Sequence, residues 1–336
     1  MSDAEQNVAQ ARGKPAPLYH AGEQAVQQRA GVREKADRLS RGIRDYMPDQ
    51  HREFFHELPF LLVGSADDEG RVWASVLTGR PGFLHSPDPR SLRIETAPMA
   101  GDPLAGSLQL GAPLGLLGIQ LHTRRRNRMN GKIVAMDKTG FTVAVDQSFG
   151  NCAKYIQARS GEWLPQPAGS VEIVREDARL SAEALAVIAR ADTFFVATAS
   201  SGTDRGSAAD GTDVNHRGVP PGTIRIAVDS EGRTLLSAPD LPGNNAFMTF
   251  GNIAVNPRSG MLFFDFRSGD LISLTGESEL LWDEAAAAEF PGASRVLRFR
   301  PSQGLRFKGA LPFRWSAPDL APQFRFGESD ATATRE

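Results

Sequence analysis

Apolar residues in this chain fall in short runs of about four to eight, broken by turns rich in Gly, Pro, Asp and Asn, a spacing that predicts strands. Residues 60–64 form the first such run, Asp67-Asp68-Glu69-Gly70 supplies a hairpin turn, and residues 72–78 resume the pattern. Further strands are expected at 91–94, 114–121, 132–136 and 141–145, the last two as a hairpin around Asp137-Lys138-Thr139-Gly140. Residues 181–190 then break the pattern as a helix, with Ser181 as N-cap and Glu183 in the first turn. After it, strands are expected at 193–199, 223–228, 234–237, 260–266 and 271–281. Short strands at close spacing with Gly and Pro turns predict small antiparallel barrels.

The second half repeats the first. Phe60-Leu61-Leu62-Val63 returns as Phe194-Phe195-Val196-Ala197, Pro81-Gly82 as Pro221-Gly222, Gly115-Leu116-Leu117 as Gly260-Met261-Leu262, and Gly131 as Gly276. The offset grows from about 134 to about 145, as it would if loops lengthened between retained strands. A duplicated β unit sets two related surfaces face to face within one chain, with a pseudo-symmetric seam between them. The divisions expected are a disordered leader at 1–17, a helical segment at 18–56, one barrel at 57–178, a second at 179–300, and a tail at 301–336 without clear periodicity. The helices of 18–56 are weakly apolar and are expected to lie across the barrels, with Asp49 capping a short one through Phe55. Residues 200–211, rich in Gly, Ser, Ala and Asp, are expected to be mobile.

Composition narrows the function classes. The chain has 336 residues, 40% hydrophobic and 23% charged, with a formal net charge of −2, which gives no electrostatic reason to expect a nucleic-acid or membrane partner. One cysteine, Cys152, excludes an internal disulfide framework and a multi-cysteine metal site, and no metal is expected. The polar, acidic opening Met1-Ser2-Asp3-Ala4-Glu5 does not read as a signal peptide, and no apolar run is long enough to span a membrane, so a cytoplasmic location is expected. No Walker loop, GxSxG elbow, HExxH or strand–GxGxxG–helix fingerprint occurs, so an enzyme of this sequence would take its reactivity from a bound organic cofactor.

Where the halves disagree, chemistry is indicated. Trp73-Ala74-Ser75-Val76-Leu77-Thr78 aligns with Asp213-Val214-Asn215-His216-Arg217-Gly218. A buried strand carrying Asn215, His216 and Arg217 pays for desolvation unless these groups meet a ligand or each other; a solvated strand end is the alternative. Pro242-Gly243-Asn244-Asn245 reads as a turn into a helix whose N–H groups and Asn amides suit a phosphate, whereas the first-half segment Ala100-Gly101-Asp102-Pro103 carries a repelling carboxylate. An Asn-capped helix with no ligand fits the same text. In Arg124-Arg125-Arg126-Asn127-Arg128, a strand would put Arg124, Arg126 and Arg128 on one face, facing an anion or forming a solvated barrel edge, which is the commoner use of such a run. Cys152 beside Lys154 has no nearby histidine and reads as a small buried hydrophobe rather than a nucleophile.

These segments together carry a resemblance. Leu58-Pro59-Phe60-Leu61-Leu62-Val63 with Gly70-Arg71-Val72-Trp73-Ala74-Ser75 resembles the pyridoxamine 5′-phosphate oxidase-related flavin-nucleotide-binding proteins. So do Phe149-Gly150-Asn151-Cys152-Ala153-Lys154-Tyr155-Ile156-Gln157, Asp213-Val214-Asn215-His216-Arg217-Gly218, Pro242-Gly243-Asn244-Asn245 with Leu274-Thr275-Gly276, and the opening Tyr19-His20-Ala21-Gly22-Glu23-Gln24. The resemblance implies a mainly β fold: two tandem FMN-binding split barrels of Greek-key type forming an intrachain pseudo-dimer, with N-terminal helices. It implies cofactor contacts at Trp73, Ala74, Ser75, Thr78, Asn215, His216, Arg217, Asn244 and Asn245. Asp102 departs from a phosphate-binding pattern and favours one flavin per chain over two. The chain lacks the basic strand and C-terminal signature of pyridoxamine phosphate oxidase itself.

The function expected is therefore an FMN-dependent oxidoreductase acting on a small organic molecule, with NAD(P)H or the substrate as donor and O₂ as a candidate acceptor. No catalytic acid or base is singled out. A non-catalytic flavin- or heme-binding protein is the alternative, with His20, His51, His56, His85, His122 and His216 as the available axial ligands. As to assembly, a monomer with an internal pseudo-dimer and a homodimer are both compatible with the sequence.

Overall fold

The structure is a computed structural model, and it describes residues 18–164, 171–200 and 209–327. The expected leader, the end of the tail, and most of the expected mobile insert lie outside the described residues. The first sheet contains β1 (Phe60–Ala66), β2 (Val72–Thr78), β3 (Leu84–His85), β4 (Ser91–Ile94), β5 (Pro113–Gln120), β6 (Arg125–Asp137) and β7 (Gly140–Gly150). Two short strands follow, β8 (Gly161–Trp163) and β9 (Ile173–Asp177). The second sheet contains β10 (Thr193–Ala199), β11 (Thr212–Gly218), β12 (Arg225–Val228), β13 (Thr234–Asp240), β14 (Arg258–Phe264), β15 (Leu271–Leu281) and β16 (Arg295–Phe307).

The first sheet runs β2-β1-β5-β6-β7-β4-β3 and the second β11-β10-β14-β15-β16-β13-β12, the same order with each strand displaced by nine. Every pairing is antiparallel. Two copies of one barrel topology thus make the body of the chain, as the repeat predicts.

Each barrel has its own core, and a third apolar layer joins them. Leu61, Val63, Met129 and Phe141 pack inside the first barrel, and Phe194, Val196, Phe263 and Phe299 inside the second. Leu62, Ala74, Val76 and Leu117 meet Phe195, Ala197, Val214 and Leu262 between the barrels. These strands are buried on both faces, which is why they read as unbroken apolar runs.

The packing also corrects the repeat by one residue. Phe60 pairs with Thr78 and Thr193 with Gly218, so Leu61, rather than Phe60, is the counterpart of Phe194. Side chains alternate between faces, and only this register sets core residue against core residue.

The barrels approach closely at a symmetry-related pair of glycines. A Cβ on Gly115 would lie 2.4 Å from the Thr212 carbonyl oxygen, and one on Gly260 would lie 2.8 Å from Trp73 Cα. Since Gly115 and Gly260 are repeat counterparts, as are Trp73 and Asp213, the two contacts are the same contact generated twice.

The helices sit around this frame: α1 (Ala21–Arg29), α2 (Arg33–Ser40), α3 (Asp49–His56), α4 (Leu104–Ser107), α5 (Ala182–Arg190), α6 (Met248–Val255) and α7 (Glu284–Ala288). Ser181 caps α5 by accepting from Ala184 N, as expected. His20 and Glu23 form a capping box on α1, which crosses α6 where Gly22 meets Gly251. Two expectations for residues 18–56 change. Pro48, not Asp49, occupies the N-cap of α3, and α3 sends Phe54 and Phe55 into the first barrel's core.

The region past residue 300 is also more regular than its text. β16 continues to Phe307, and β17 (Phe313–Trp315) pairs with β8. β9, which precedes residue 178, pairs with β16 of the second sheet. These strands escape a periodicity test because three to five residues are too few to show one.

Candidate functional site

One seam of the pseudo-dimer is polar. It forms where β6 and the segment after β7, from the first barrel, meet β11 and the loop between β13 and α6, from the second. Arg126, Arg128, Lys154, Arg217 and Arg295 line it, with Asp240 the single carboxylate. Of the three arginines expected on one face, Arg126 and Arg128 share it and Arg124 does not. Arg124 lies in a turn at φ 53° and bonds to Asp319 at 2.8 Å, while Arg125 stacks over Phe54. Arg126 and Arg128 alone turn into the seam.

Arg128 is the anchor and is 1% exposed. Its Nη1 donates to Asp213 Oδ1 at 2.7 Å, its Nη2 donates to the Val214 carbonyl and to Asn215 Oδ1, and its plane lies over Phe149. Asp213 also accepts from Asn130 at 2.6 Å and Asn252 at 2.9 Å. Burying a guanidinium costs several kcal/mol, so this saturation of Asp213 is what permits Arg128 to stay there.

Arg126 donates from Nε to the Cys152 carbonyl at 2.6 Å and from Nη1 to the His216 carbonyl and ring at 3.2 Å. Burial pushes its pKa down to about 10, which leaves it a cation at neutral pH. Since Arg126 is a donor, His216 Nδ1 accepts and its proton sits on Nε2. Burial, with Arg126 and Arg217 beside it, holds His216 well below the usual histidine range and therefore neutral.

Arg217 bonds to Asp240 at 3.1 Å and lies over Phe250, while Arg295 bonds the same carboxylate at 2.8 Å. Asn244 Oδ1 accepts from Ala246 N, and Asn245 and Phe247 hold φ of 61° and 58° just before α6. Non-glycine residues in this left-handed region cost energy and cluster at ligand sites.

Several buried polar atoms at this seam have no partner among the described residues: Arg128 Nε, Asn151 Oδ1, His216 Nε2 and Arg217 Nε. Three of the four are donors. A cavity with five cationic side chains, one carboxylate already shared by two arginines, and spare buried donors has the chemistry to attract an anion.

Of the nine expected cofactor contacts, the structure brings Asn215, His216, Arg217, Asn244 and Asn245 into this cavity. It does not bring Trp73, Ala74, Ser75 or Thr78 there. Trp73 Nε1 donates to Asp67 at 3.0 Å, the Ala74 carbonyl accepts from Ser273 at 2.9 Å, and Ser75 donates to Asp102 at 2.6 Å. The Thr78 carbonyl accepts from Thr96. Lys154, Asp240 and Arg295 are charged cavity residues that the sequence did not point to, whereas Arg126 and Arg128 come from the arginine run for which an anion-facing strand was one of two readings. The signal available was that Gly269-Asp270-Leu271-Ile272-Ser273 lacks the arginines of its counterpart.

No protein-family model matches the chain, and no curated protein does. Solved structures do. A putative pyridoxamine 5′-phosphate oxidase from Lactobacillus delbrueckii is 15% identical, covering 38% of this chain and 93% of its own, with a TM-score of 0.28. HupZ from Group A Streptococcus is 12% identical over 38% of this chain and 98% of its own, with a TM-score of 0.28. HutZ from Vibrio cholerae, a heme storage protein, is 14% identical over 39% and 95%, with a TM-score of 0.24. The chain is thus similar to pyridoxamine 5′-phosphate oxidase-type and heme-storage proteins over a stretch about the size of one barrel. At these scores the fold rests on the strand order above, and nothing about reaction or ligand follows from the likeness. No helix among the described residues is long and apolar enough to cross a membrane.

Proposed function

We propose that the chain is an FMN-dependent oxidoreductase acting on a small organic molecule, with the flavin held in the polar seam. The observation that carries this reading is the surplus of buried, unpartnered donors among the arginines there. The proposed phosphate contacts are Arg217, Asn244 and Asn245, with Arg126 and Arg128 adding positive potential from the other barrel. When bound, FMN supplies the hydride chemistry, taking electrons from NAD(P)H or from the substrate and passing them to an acceptor such as O₂. His216, neutral with its proton on Nε2, offers a fixed donor, and Asn215 an amide held against Thr249.

The cavity as folded has a volume of about 120 Å³. Typical cofactor sites need ~300–1,000 Å³, so it accommodates the phosphate end, and the ring end requires the loop at 241–247 to move outward. The strained φ angles of Asn245 and Phe247 mark that loop as the part that changes.

A second reading is a heme-binding protein without turnover; it requires the His216 proton to move from Nε2 to Nδ1 and Nδ1 to give up Arg126, which frees the otherwise unpartnered Nε2 as an axial ligand. The absorbance spectrum of the purified protein separates the two. Flavin absorbance that bleaches under NADPH and returns in air supports the oxidoreductase; a Soret band, or flavin inert to every donor, overturns it. Arg217→Ala combined with Asn244→Ala is expected to lose FMN while keeping the fold, since Arg295 still neutralises Asp240. Unchanged FMN affinity in that variant overturns the phosphate assignment.

A further inference from the structure

A second cleft, of about 670 Å³, lies away from the polar seam, between the end of α5, the residues after β14 and the segment around β17. Its walls include Phe264, Phe266, Phe313 and Trp315, with Phe266 and Trp315 edge to face at 5.3 Å. Trp315 lies directly across from Gly161 of β8, whose lack of a side chain leaves room for the indole.

Two carboxylates border the cleft, and both are satisfied. Asp265 accepts from Arg190 at 2.6 Å, from Ser268 Oγ at 2.8 Å and from Arg267 N at 3.1 Å. Asp192 accepts from Arg159 and from Thr193 Oγ1. Three donors are not satisfied. Arg159 is 6% exposed and lies 4.0 Å from the centre of the Phe266 ring, yet its Nε and Nη1 meet no acceptor among the described residues. Trp315 Nε1 meets none either. Buried donors left without acceptors are costly, and here two different side chains bring them to one aromatic cleft.

We propose that this cleft is a binding site for a small aromatic carboxylate. The carboxylate accepts from Arg159 and Trp315, and the ring packs against Phe266 and Phe313. The chemistry selects this class. The unmet groups are all donors, which calls for an acceptor. Arg159 already shares its charge with Asp192, which suits a monoanion better than a phosphate dianion. Aromatic walls reward a planar apolar body.

The test is calorimetric titration of the full chain with 1-naphthoate, alongside neutral 1-naphthylmethanol. Naphthoate is expected to bind and the alcohol to bind at least tenfold more weakly. Arg159→Met should weaken naphthoate by about 10- to 100-fold, the loss of one charged hydrogen bond. Trp315→Phe keeps the wall and removes only the donor, so it carries the test if Arg159→Met disturbs folding; a loss of about three- to tenfold is expected. No binding at millimolar naphthoate, or affinity unchanged in Trp315→Phe, overturns the proposal. The Arg217→Ala, Asn244→Ala variant should bind naphthoate normally, which separates this site from the flavin reading.

Discussion

The two seams of the pseudo-dimer are built on the same frame and filled in opposite ways. At one, Arg126, Arg128, His216 and Arg217 surround a cavity. At the other, the equivalent positions are Leu271, Ser273, Val76 and Leu77. Leu271 and Val76 pack with Phe307, Leu311 and Phe313, so that seam is closed by apolar side chains. One backbone contact survives in both: Arg128 Nη2 donates to the Val214 carbonyl, and Ser273 Oγ donates to the Ala74 carbonyl, the same acceptor in the repeat. Duplication supplies two sites, and the difference lies in which one keeps charge. A closed apolar seam stabilises the pair, which lets the other seam carry buried cations whose desolvation opposes folding.

The sharpest way to break the comparison is to remove the partner of Arg128. Asp213→Ala leaves a buried guanidinium without its carboxylate and should cost about 3–5 kcal/mol in urea unfolding. Ser273→Ala, its counterpart test in the apolar seam, should cost about 1 kcal/mol. Equal losses would mean that the two seams are not energetically distinct. A smaller, symmetric effect is expected at the crossings. Gly115→Ala and Gly260→Ala should each destabilise by about 1–3 kcal/mol, because the added methyl meets backbone that cannot yield. If only one is costly, the two contacts are not equivalent.

The smallest effect is on pH dependence. His216 titrates below its unfolded value, so its contribution to stability is complete above a pH of about 6.5 and is lost as pH falls toward the folded pKa. Stability relative to His216→Gln should therefore be constant above neutrality and decline in acid. The comparison between the two proteins is needed because Glu23, raised by burial, contributes a slope of the opposite sign above pH ~4.5. A flat difference from pH 7 to 5 would remove His216 from the buried, neutral state described.

The fold was readable because a duplicated strand pattern leaves marks at positions where few residues serve. Residues 72–78, 91–94, 193–199 and 271–281 are strands to the residue, and the turn at Asp137-Lys138-Thr139-Gly140 joins β6 to β7. Register was less accessible: Phe60 and Leu61 are both apolar, and only pairing with β2 decides which faces the core. The edges of the barrels, β8, β9 and β17, are too short to announce themselves.

At the candidate site, sequence alone determined which half is polar, since Asn215, His216 and Arg217 stand against Ser75, Val76 and Leu77; whether that strand is buried or a solvated end was left to the structure. It did not determine who completes the cavity. Arg126 and Arg128 face those residues from about 90 positions away in the chain, and a run of arginines looks the same in text whether water or a second barrel covers it. Only the docking of the two barrels, which puts Arg128 against Asp213 and leaves Arg124 outside, turned a charge run into the wall of a site. Local pattern encodes which face a side chain takes; what that face meets is decided by packing between distant segments.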